Sequence, residues 1–268
     1  MLKVIKKIYT YIFKKKLSPD DFFEREVAKN KLIQNIEKNE NHFLIKTPNL
    51  SLVVRNQNHS DFSVFKQVFN KKEYKAITSY LKINLVKNDK MTLIDAGANV
   101  GYTSIFFLNE IKNIQVYGIE PSKDNMEVYK KNVDLNNYKK NVFFYENALS
   151  GIENKSFSLN NSFRDGKDWS IATSENIDGE IKGITINQII KEHELEHISC
   201  LKIDIEGAER FIFTYDNDLS FLNITYLIAI EIHDEYDCRK TIYEILKEYN
   251  FVLFETGELT IGINKKFI

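Results

Sequence analysis

The stretch that most constrains the fold of this chain begins at Leu93, where a short apolar strand breaks into a loop of small residues. This glycine loop, residues 95–101, reads Asp-Ala-Gly-Ala-Asn-Val-Gly, and an apolar-periodic helix resumes from Ser104. A strand that enters a helix through glycines leaves free backbone N–H groups and the positive end of a helix at the carboxyl edge of the strand. Open α/β sheets bind their ligands at that edge. The stretch therefore predicts a site for a nucleotide-like ligand.

Strand and helix patterns alternate from Met91 to the end of the chain, so residues 91–268 are predicted to form one α/β domain. The strands are almost continuously apolar, which indicates a mostly parallel sheet covered on both faces. The later strands are predicted at Val116–Glu120, Val142–Tyr145, Cys200–Ile205, Tyr226–Ile232, Phe251–Phe254 and Leu259–Asn264, of which the last two form a hairpin. A polar stretch from Glu153 to Gly183 predicts a further β-hairpin over one edge.

Residues 1–90 are interpreted as an N-terminal helical extension and a lead-in segment. Residues 1–17 place apolar side chains at helical spacing among six lysines, which predicts a basic amphipathic helix. Such a helix packs on the body of the protein or on a second subunit, or it lies on an anionic membrane, and both interpretations stay open. The other predicted elements are a polar helix over residues 20–40, strands at Phe43–Ile45 and Leu50–Val54, and a helix capped by Ser60.

The composition limits the binding partners and the cellular compartment that can be expected for this chain. The 268 residues carry a formal net charge of −1, so nothing draws the whole molecule to nucleic acid. Cys200 and Cys238 lack the spacing of metal ligands and are expected to be reduced thiols. No apolar run is long enough to span a bilayer. We therefore expect a cytoplasmic chain, held at the inner face of the membrane if residues 1–17 bind lipid.

The glycine loop differs from the dinucleotide pattern G-x-G-x-x-G because its middle position is Asn99, which tolerates left-handed backbone. Gly97 and Gly101 are expected to let a ligand approach the backbone and to let the helix pack on the sheet. Asp95 ends a buried strand, where an unpaired carboxylate is unfavourable. We expect it to bond loop N–H groups or a ligand cation.

Glu120 lies nineteen residues after Gly101, at the end of the second predicted strand. An acidic side chain at this place accepts hydrogen bonds from both hydroxyls of a ribose, so loop and acid together favour an adenosine-type ligand. The missing third glycine argues against a pyrophosphate. S-adenosylmethionine fits better, since its carboxylate suits the helix end and its amine and sulfonium suit Asp95. Asn147 and Ala148, after the third strand, would then face the adenine.

Ionisable side chains also gather at the ends of the fourth and fifth strands. Alternation places Lys202, Asp204 and Glu206 on one side of the fourth strand, and the fifth strand ends in Glu231 and His233. Such groups on buried strands are unfavourable unless paired, so they form either a structural ion-pair network or an active site. The active site is preferred because these strand ends lie beside the glycine loop.

The segment His193-Glu194-Leu195-Glu196-His197 has the letters of a zinc-protease pattern. That pattern needs a buried helix that presents both histidines, and a third ligand downstream. The segment is instead predicted to be a charged connection between a short helix and a strand. A metalloprotease is therefore not predicted.

Five motifs, in this order, resemble the FkbM family of S-adenosylmethionine-dependent methyltransferases. They are DAGANVGYTS, YGIEPS, ENALSG, LKIDIEGAE and EIHD, between Leu93 and Asp234. The residues that resemble the segment preceding the family's first motif are Arg55, Asp61, Phe65, Gln67, Phe69, Glu73 and Tyr74. The resemblance implies a Rossmann-like class I methyltransferase sheet of seven strands, the last antiparallel. It also implies methyl transfer to oxygen, usually to a hydroxyl of a sugar or of a polyketide-type product.

The resemblance further implies roles for single residues. The implied cofactor-binding residues are Asp95, Gly97, Asn99 and Gly101 at the methionine part, Glu120 at the ribose, Ala148 at the adenine side, and Glu73 and Tyr74 as a cover. We hypothesise that His233 is the general base, oriented by Asp204 or Glu231. Glu206 and Trp169 would shape the acceptor pocket. A rival in which Asp204, Glu206 and Asp234 hold Mg²⁺ is not favoured.

The expected acceptor is a hydroxyl of a bacterial surface glycan, such as capsule or lipopolysaccharide, or of its nucleotide- or lipid-linked precursor. Two other classes stay open: an NAD-dependent sugar-modifying oxidoreductase, and a non-catalytic scaffold with a degenerate methyltransferase fold. The intact Asp95, Gly97, Gly101 and Glu120 count against degeneration.

Overall fold

A computed structural model describes residues 18–85, 90–160 and 172–268. The predicted helix over residues 1–17, and Trp169, lie outside these ranges. The strands are β1 (Asn35–Lys38), β2 (His42–Lys46), β3 (Ser51–Arg55), β4 (Met91–Ala96), β5 (Ile114–Ile119), β6 (Val142–Tyr145), β7 (Ala148–Leu149), β8 (Ser156–Asn160), β9 (Ala172–Glu175), β10 (Ile181–Ile184), β11 (Cys200–Ile203), β12 (Leu227–Glu231), β13 (Phe251–Thr256) and β14 (Leu259–Asn264). The α-helices are α1 (Pro19–Ala28), α2 (Asp61–Phe65), α3 (Lys75–Asn84), α4 (Tyr102–Glu110), α5 (Lys123–Leu135), α6 (Ile186–His193), α7 (Glu209–Ile212) and α8 (Arg239–Glu248).

Seven strands form the central sheet, in the order β6-β5-β4-β11-β12-β14-β13. Its pairs from β6 to β12 are parallel, and β14 runs antiparallel to both of its neighbours. The predicted mostly parallel sheet with an antiparallel last strand is confirmed. The strand order reverses between β4 and β11, and ligands of such sheets bind at this switch point. The glycine loop follows β4 at this place.

The central strands explain why the sheet forms. All residues of β4 and β5 are buried, as near-continuous apolar strands must be when helices cover both faces of a sheet. β11 pairs with β4 so that Lys202 lies beside Asp95. The fourth strand is two residues shorter than predicted, because the chain leaves the sheet after Ile203 and turns through Glu206 and Gly207, whose φ angles are +52° and +90°.

The lead-in segment, which the structure describes over residues 18–85, contains a three-stranded antiparallel sheet in the order β1-β2-β3. The two strands predicted in this segment are confirmed as β2 and β3. The predicted helix over residues 20–40 is wrong beyond Ala28. The Asn30 side chain accepts a hydrogen bond from the Leu32 N–H (3.0 Å) and turns the chain, and residues 35–38 then pair with β2. A polar stretch adopts the conformation that a neighbouring strand offers it.

The helix predicted to begin with a Ser60 cap begins at Asp61 without that cap. The Ser60 backbone is helical (φ −81°, ψ −11°), and its side chain does not cap the helix. The predicted cap is wrong because a capping side chain needs an extended backbone at its own residue. Asp61 begins α2 instead, buried against Arg55 with 2.7 Å between Oδ1 and Nη2. A π-helical segment, Lys66–Asn70, continues α2.

The lead-in segment shares one apolar core with the glycine-loop region. The rings of Phe65 and Phe69 lie 6.3 and 5.9 Å from the ring of Tyr102, between centroids. The Tyr102 hydroxyl donates a hydrogen bond to the Val53 carbonyl, and the Val53 N–H donates to the Asn132 side chain (2.8 Å). The lead-in therefore packs on α4 and α5, the two helices that flank the glycine loop.

A second sheet of four strands has the order β7-β10-β8-β9. Its β8 and β9 form an antiparallel pair within the stretch predicted to carry a hairpin. β7, which contains Ala148, pairs with β10 in parallel. Within residues 18–85, 90–160 and 172–268, no helix is long and apolar enough to cross a membrane.

Candidate active site

Every second residue of the glycine loop from Gly97 to Gly101 has a left-handed backbone conformation. Gly97, Asn99 and Gly101 have φ angles of +75°, +52° and +81°, which confirms the tolerance predicted for Asn99. A Cβ atom on Gly97 would meet the backbone carbonyl of Asp204, and one on Gly101 would meet the ring of Tyr129. Glycine is therefore required by the packing of the loop on β11 and α5. The expected close approach of a ligand to these two glycines stays a prediction.

Asp95 is fully buried, and its partners are two side chains. It accepts a hydrogen bond from the Ser104 hydroxyl (2.6 Å) and lies 3.3 Å from the Lys202 ammonium. The expected bonds to loop N–H groups are not made, because Gly97 and Ala98 donate to the carbonyl at the end of β5 (3.0 and 2.9 Å). Lys202 is the cation that the protein itself places beside Asp95, and the expected contact with a ligand cation stays a prediction.

Lys202 joins the glycine loop to β11. Its Nζ donates to the carbonyl oxygens of Gly97 (2.8 Å) and Ala96 (3.3 Å) and lies 3.6 Å from Asp204 Oδ2. Burial disfavours the charged ammonium, but Asp95 and Asp204 outweigh burial and raise the pKa of Lys202. Lys202 therefore stays charged beneath the loop.

Glu120 lies directly after β5 and is buried. Its carboxylate accepts hydrogen bonds from the N–H groups of Asn99 (2.8 Å) and Ser122 (2.9 Å) and from the Asn125 side chain (3.3 Å). Desolvation raises its pKa despite these bonds. A carboxylate offers about four acceptor positions, so one position on Oε2 is left for a ribose hydroxyl. The sequence had predicted bonds to both hydroxyls.

The lead-in segment supports Glu120 through one intermediate side chain. The Arg55 guanidinium donates to Asn125 Oδ1 (2.8 Å) and pairs with Asp61 (2.7 Å), and all three side chains are buried. Asn125 then donates to Glu120. This chain of contacts gives a physical role to Arg55 and Asp61, which the sequence had grouped only by resemblance.

His233 follows β12 and is only 3% exposed. Its Nδ1 lies 3.0 Å from Glu209 Oε1, which also accepts the His233 backbone N–H (2.8 Å). Its Nε2 lies 3.4 Å from Glu206 and 3.8 Å from Glu231. Burial alone would lower the pKa of His233, but hydrogen bonds with Glu206 and Glu209 raise it to about 10.

Carboxylates therefore lie at both ring nitrogens of His233, an arrangement that favours its imidazolium form. A general base needs a free lone pair, which the imidazolium form does not have. The assignment of His233 as the general base stays a prediction, and the carboxylates around the ring favour another residue for that role. Glu209 orients the ring through Nδ1, a role that the sequence had given to Asp204 or Glu231.

Three further carboxylates border the same edge of the sheet. Glu231 ends β12, and burial, with Asp204 next in importance, raises its pKa to about 8. Glu73 is partly buried, and burial followed by Asp204 raises its pKa as well. The side chain of Asp204 is 33% exposed at the end of β11. This edge therefore favours positively charged ligands.

A pocket of about 390 Å³ opens between the end of β12 and the turn of the β13–β14 hairpin. Its polar lining residues include Glu231, His233, Asp234, Arg239, Glu255, Glu258 and Thr260. Arg239 is already paired with Asp234 (2.6 Å) and Glu255 (3.4 Å), so the pocket stays acidic. Glu206 does not line the pocket but contacts His233, which does.

The other residues predicted to bind the cofactor lie at the edge of the candidate site. Tyr74 is buried, with its ring 6.0 Å from that of Phe107, so it packs in the core. Ala148 is buried in β7. Asn147 donates to the Lys182 carbonyl (3.1 Å), which connects the loop after β6 to the second sheet.

In the part of the chain that the structure describes, no three His, Cys, Asp or Glu residues are grouped to hold a metal ion. His193 ends α6 with its Nε2 2.6 Å from the Tyr145 hydroxyl. The ring of His197 stacks on Tyr226, with 5.2 Å between centroids. The two histidines of the segment that resembles a zinc-protease pattern therefore contact neighbouring aromatic side chains.

Sequence reasoning missed two residues of the site. Glu209 was not assigned, although its place three residues after Glu206 put both acids within one helical turn. Lys202 was grouped with its strand neighbours but had no role, because the register of β11 against β4 is not written in either strand alone.

A family model described as the methyltransferase FkbM domain matches residues 95–253, which is more than half of the chain. The chain belongs to this family. The FkbM enzyme is accordingly an S-adenosylmethionine-dependent methyltransferase, as the resemblance implied, and the NAD-dependent and non-catalytic alternatives are set aside. No curated protein matches the sequence.

Several solved methyltransferase structures are similar to this FkbM chain. The O-methyltransferase from Bacillus cereus in complex with SAH has a TM-score of 0.43 at 10% identity, with 97% of both chains covered. Precorrin-6y C5,15-methyltransferase from Geobacter metallireducens has a TM-score of 0.43 at 12% identity, over 75% of this chain and 92% of that chain. The SAM-dependent methyltransferase from Agrobacterium tumefaciens reaches 0.45 at 8% identity, over 78% and 59%. Likeness at this level gives no information about the acceptor.

The residues of the FkbM site fit S-adenosylmethionine. Asn99 Oδ1 is buried in the glycine loop without a hydrogen-bond partner, so it can accept a bond from a ligand amine or hydroxyl. Glu120 keeps one acceptor position for the ribose. Asp204 is close enough to the loop to face a positive charge bound there, since its carbonyl contacts Gly97.

Proposed function

We propose that this enzyme transfers a methyl group to a sugar hydroxyl of a bacterial surface glycan or its precursor. The observation that carries the proposal is the acidic pocket after β12, two strands away from the glycine loop on the same edge of one sheet. Neighbouring strands lie ~4.8 Å apart, so the ends of β4 and β12 are ~10 Å apart. This spacing suits a methyl donor over the loop and an acceptor over β12.

On the donor side, the glycine loop, Asn99 and Glu120 hold the cofactor, which when bound supplies an electrophilic methyl group on a sulfonium. Glu73, Asp204 and Glu231 border this position, and although burial raises the pKa of Glu73 and of Glu231, a bound sulfonium favours their charged forms. Fixed charges in a partly buried site act without reorganisation during the reaction. The carboxylates therefore favour the cationic donor over its neutral product.

On the acceptor side, the pocket offers carboxylates and the Thr260 hydroxyl as hydrogen-bond partners, which suits a molecule with several hydroxyls. Transfer would form a bond between the acceptor oxygen and the methyl carbon and break the bond between that carbon and the sulfur, and the hydroxyl proton must leave. We assign its acceptance to the carboxylate of Glu231, which lines the pocket. A group whose pKa is about 8 is well matched to this task near neutral pH.

The Mg²⁺ version of the mechanism gains no support from the described residues. Asp234 is engaged by Arg239 through two contacts, of 2.6 and 2.8 Å. Glu206 is paired with His233. Asp204, the third proposed ligand, is therefore left without the two carboxylates that were to share the ion with it.

Mass spectrometry of surface polysaccharide from a deletion strain tests the function. We expect a sugar residue to lose the mass of one CH₂ unit, and the native gene to restore it. The Glu231→Gln gene should not restore it, although the purified variant binds S-adenosylhomocysteine normally. Glu153→Gln, an exposed substitution away from the pocket, is the matched control and should restore it. Identical glycans in the deletion and parent strains would refute the proposed acceptor.

A further inference from the structure

Lys202 is a buried cation that the transfer chemistry above does not use. Only 2% of the residue is exposed, and its partner across the β4–β11 pair is Asp95. Its ammonium lies 2.8 Å from Gly97 O, 3.3 Å from Ala96 O, 3.3 Å from Asp95 Oδ1 and 3.6 Å from Asp204 Oδ2. One side chain thus contacts every residue in the first part of the glycine loop.

The two parts of the loop have separate supports. Lys202 holds residues 95–97, which belong to the part of the loop that the family resemblance assigns to the methionine half of the cofactor. Glu120 accepts the Asn99 N–H (2.8 Å) and serves the ribose. A change at Lys202 should therefore affect one half of the cofactor site and spare the other.

We propose that Lys202 is a positioning residue for the amino-acid half of the cofactor. Its ammonium fixes the carbonyls of Ala96 and Gly97 and balances the charge of Asp95, so the loop is shaped before the cofactor arrives. A preformed loop lowers the entropy cost of binding. The inference rests on the proposed binding of the cofactor by the glycine loop.

Two commercial ligands separate the halves of the site. S-adenosylhomocysteine carries the amino-acid part, and 5′-methylthioadenosine keeps the adenosine and the thioether without it. We expect Lys202→Met, which keeps the length of the side chain but removes its charge, to weaken S-adenosylhomocysteine binding at least tenfold in calorimetry. Binding of 5′-methylthioadenosine should stay within twofold. Equal changes for both ligands, or no change for either, would overturn the inference.

Leu201→Ala is the matched control, since Leu201 faces the opposite side of β11 in the other part of the core. It should lower the melting temperature and leave the ratio of the two affinities unchanged. If Lys202→Met does not fold, Lys202→Met/Asp95→Asn removes both buried charges and is compared with Asp95→Asn. We expect the affinity for S-adenosylhomocysteine, divided by that for 5′-methylthioadenosine, to be tenfold lower in the double variant than in Asp95→Asn. Equal ratios in the two variants would refute the role of Lys202. Failure of the native protein to bind S-adenosylhomocysteine would instead overturn the cofactor assignment, and this inference with it.

Discussion

At the residue scale, the charge of His233 sets the electrostatics of the acceptor pocket. The ring lies among Glu206, Glu209 and Glu231, and hydrogen bonds with Glu206 and Glu209 raise its pKa to about 10. In its cationic form the ring reduces the mutual repulsion of the carboxylates around it. The proposed function accordingly assigns proton transfer to Glu231.

The raised pKa of His233 makes a prediction about stability. Its folded-state pKa of about 10 lies above the ordinary value of 6.5, so its contribution is complete below pH 6.5 and is lost as the pH rises through 10. The loss can reach ~1.4 kcal/mol per pH unit between these values. Urea unfolding of the native protein and of His233→Gln should therefore give free energies that converge from pH 6.5 to 10. Parallel curves would contradict the assignment.

Gly97 makes a second prediction at this scale. In Gly97→Ala the new Cβ atom meets the Asp204 carbonyl, at a backbone angle that disfavours side chains. We expect a lower melting temperature and at least tenfold weaker binding of S-adenosylhomocysteine. Gly257→Ala is the control, because Gly257 also has a positive φ but has open space around it. Equal ligand affinities in the two variants would show that the loop tolerates displacement.

At the scale of elements, the lead-in segment supports Glu120, the residue proposed to bind the ribose, through Arg55 and Asn125. Arg55→Met leaves Asp61 buried without its cation, a change that costs ~3–5 kcal/mol. It also frees Asn125 and so loosens Glu120. We expect lower stability in urea unfolding and weaker S-adenosylhomocysteine binding in calorimetry.

Lys139→Met is the control for this prediction. It breaks an exposed ion pair with Asp134, of 3.4 Å, and pairs of this kind contribute ~0–1 kcal/mol. If Arg55→Met costs no more than this control, the network from Arg55 to Glu120 does not support the site.

The elements that the sequence could predict are those written in local patterns. The apolar strands, the glycine loop with its left-handed Asn99, and the position of Glu120 all follow from spacing within about 30 residues. The pairing of Lys202 with Asp95 depends on the register of strands more than 100 residues apart in the chain. The contact of Arg55 with Asn125 spans 70 residues. Such contacts arise from tertiary packing, and no local pattern encodes them.

The features that local patterns leave open have the same origin. His233 was expected to be a base because the ends of the fourth and fifth strands converge, and the pKa of its ring is raised by Glu206 and Glu209, which belong to another part of the chain. Residues 35–38 have too weak an apolar pattern to choose a helix, and β2 draws them into a sheet. In both cases the conformation or the charge of the residue depends on a contact with another element of the chain.

At the scale of the whole molecule, residues 1–17 are predicted either to pack on the protein or on a second subunit, or to contact an anionic membrane, and the six lysines make the membrane contact dependent on charge. We expect the full chain to sediment with vesicles of phosphatidylglycerol, and to do so less at high salt. A chain that begins at residue 18 should remain in solution and bind S-adenosylhomocysteine with unchanged affinity. Equal sedimentation of both chains would remove the membrane interpretation.

The shared core of the lead-in and the glycine-loop helices has a consequence for synthesis on the ribosome. Val53 and its partner Asn132 are 79 residues apart, and translation adds ~5–20 residues per second. The apolar side of the three-stranded sheet therefore waits ~4–16 s for its cover. During that interval the nascent chain presents unpaired apolar surface, which is the kind of surface that chaperones bind. The packing that links the lead-in to Glu120 thus exposes the apolar side of the three-stranded sheet to misassociation during translation.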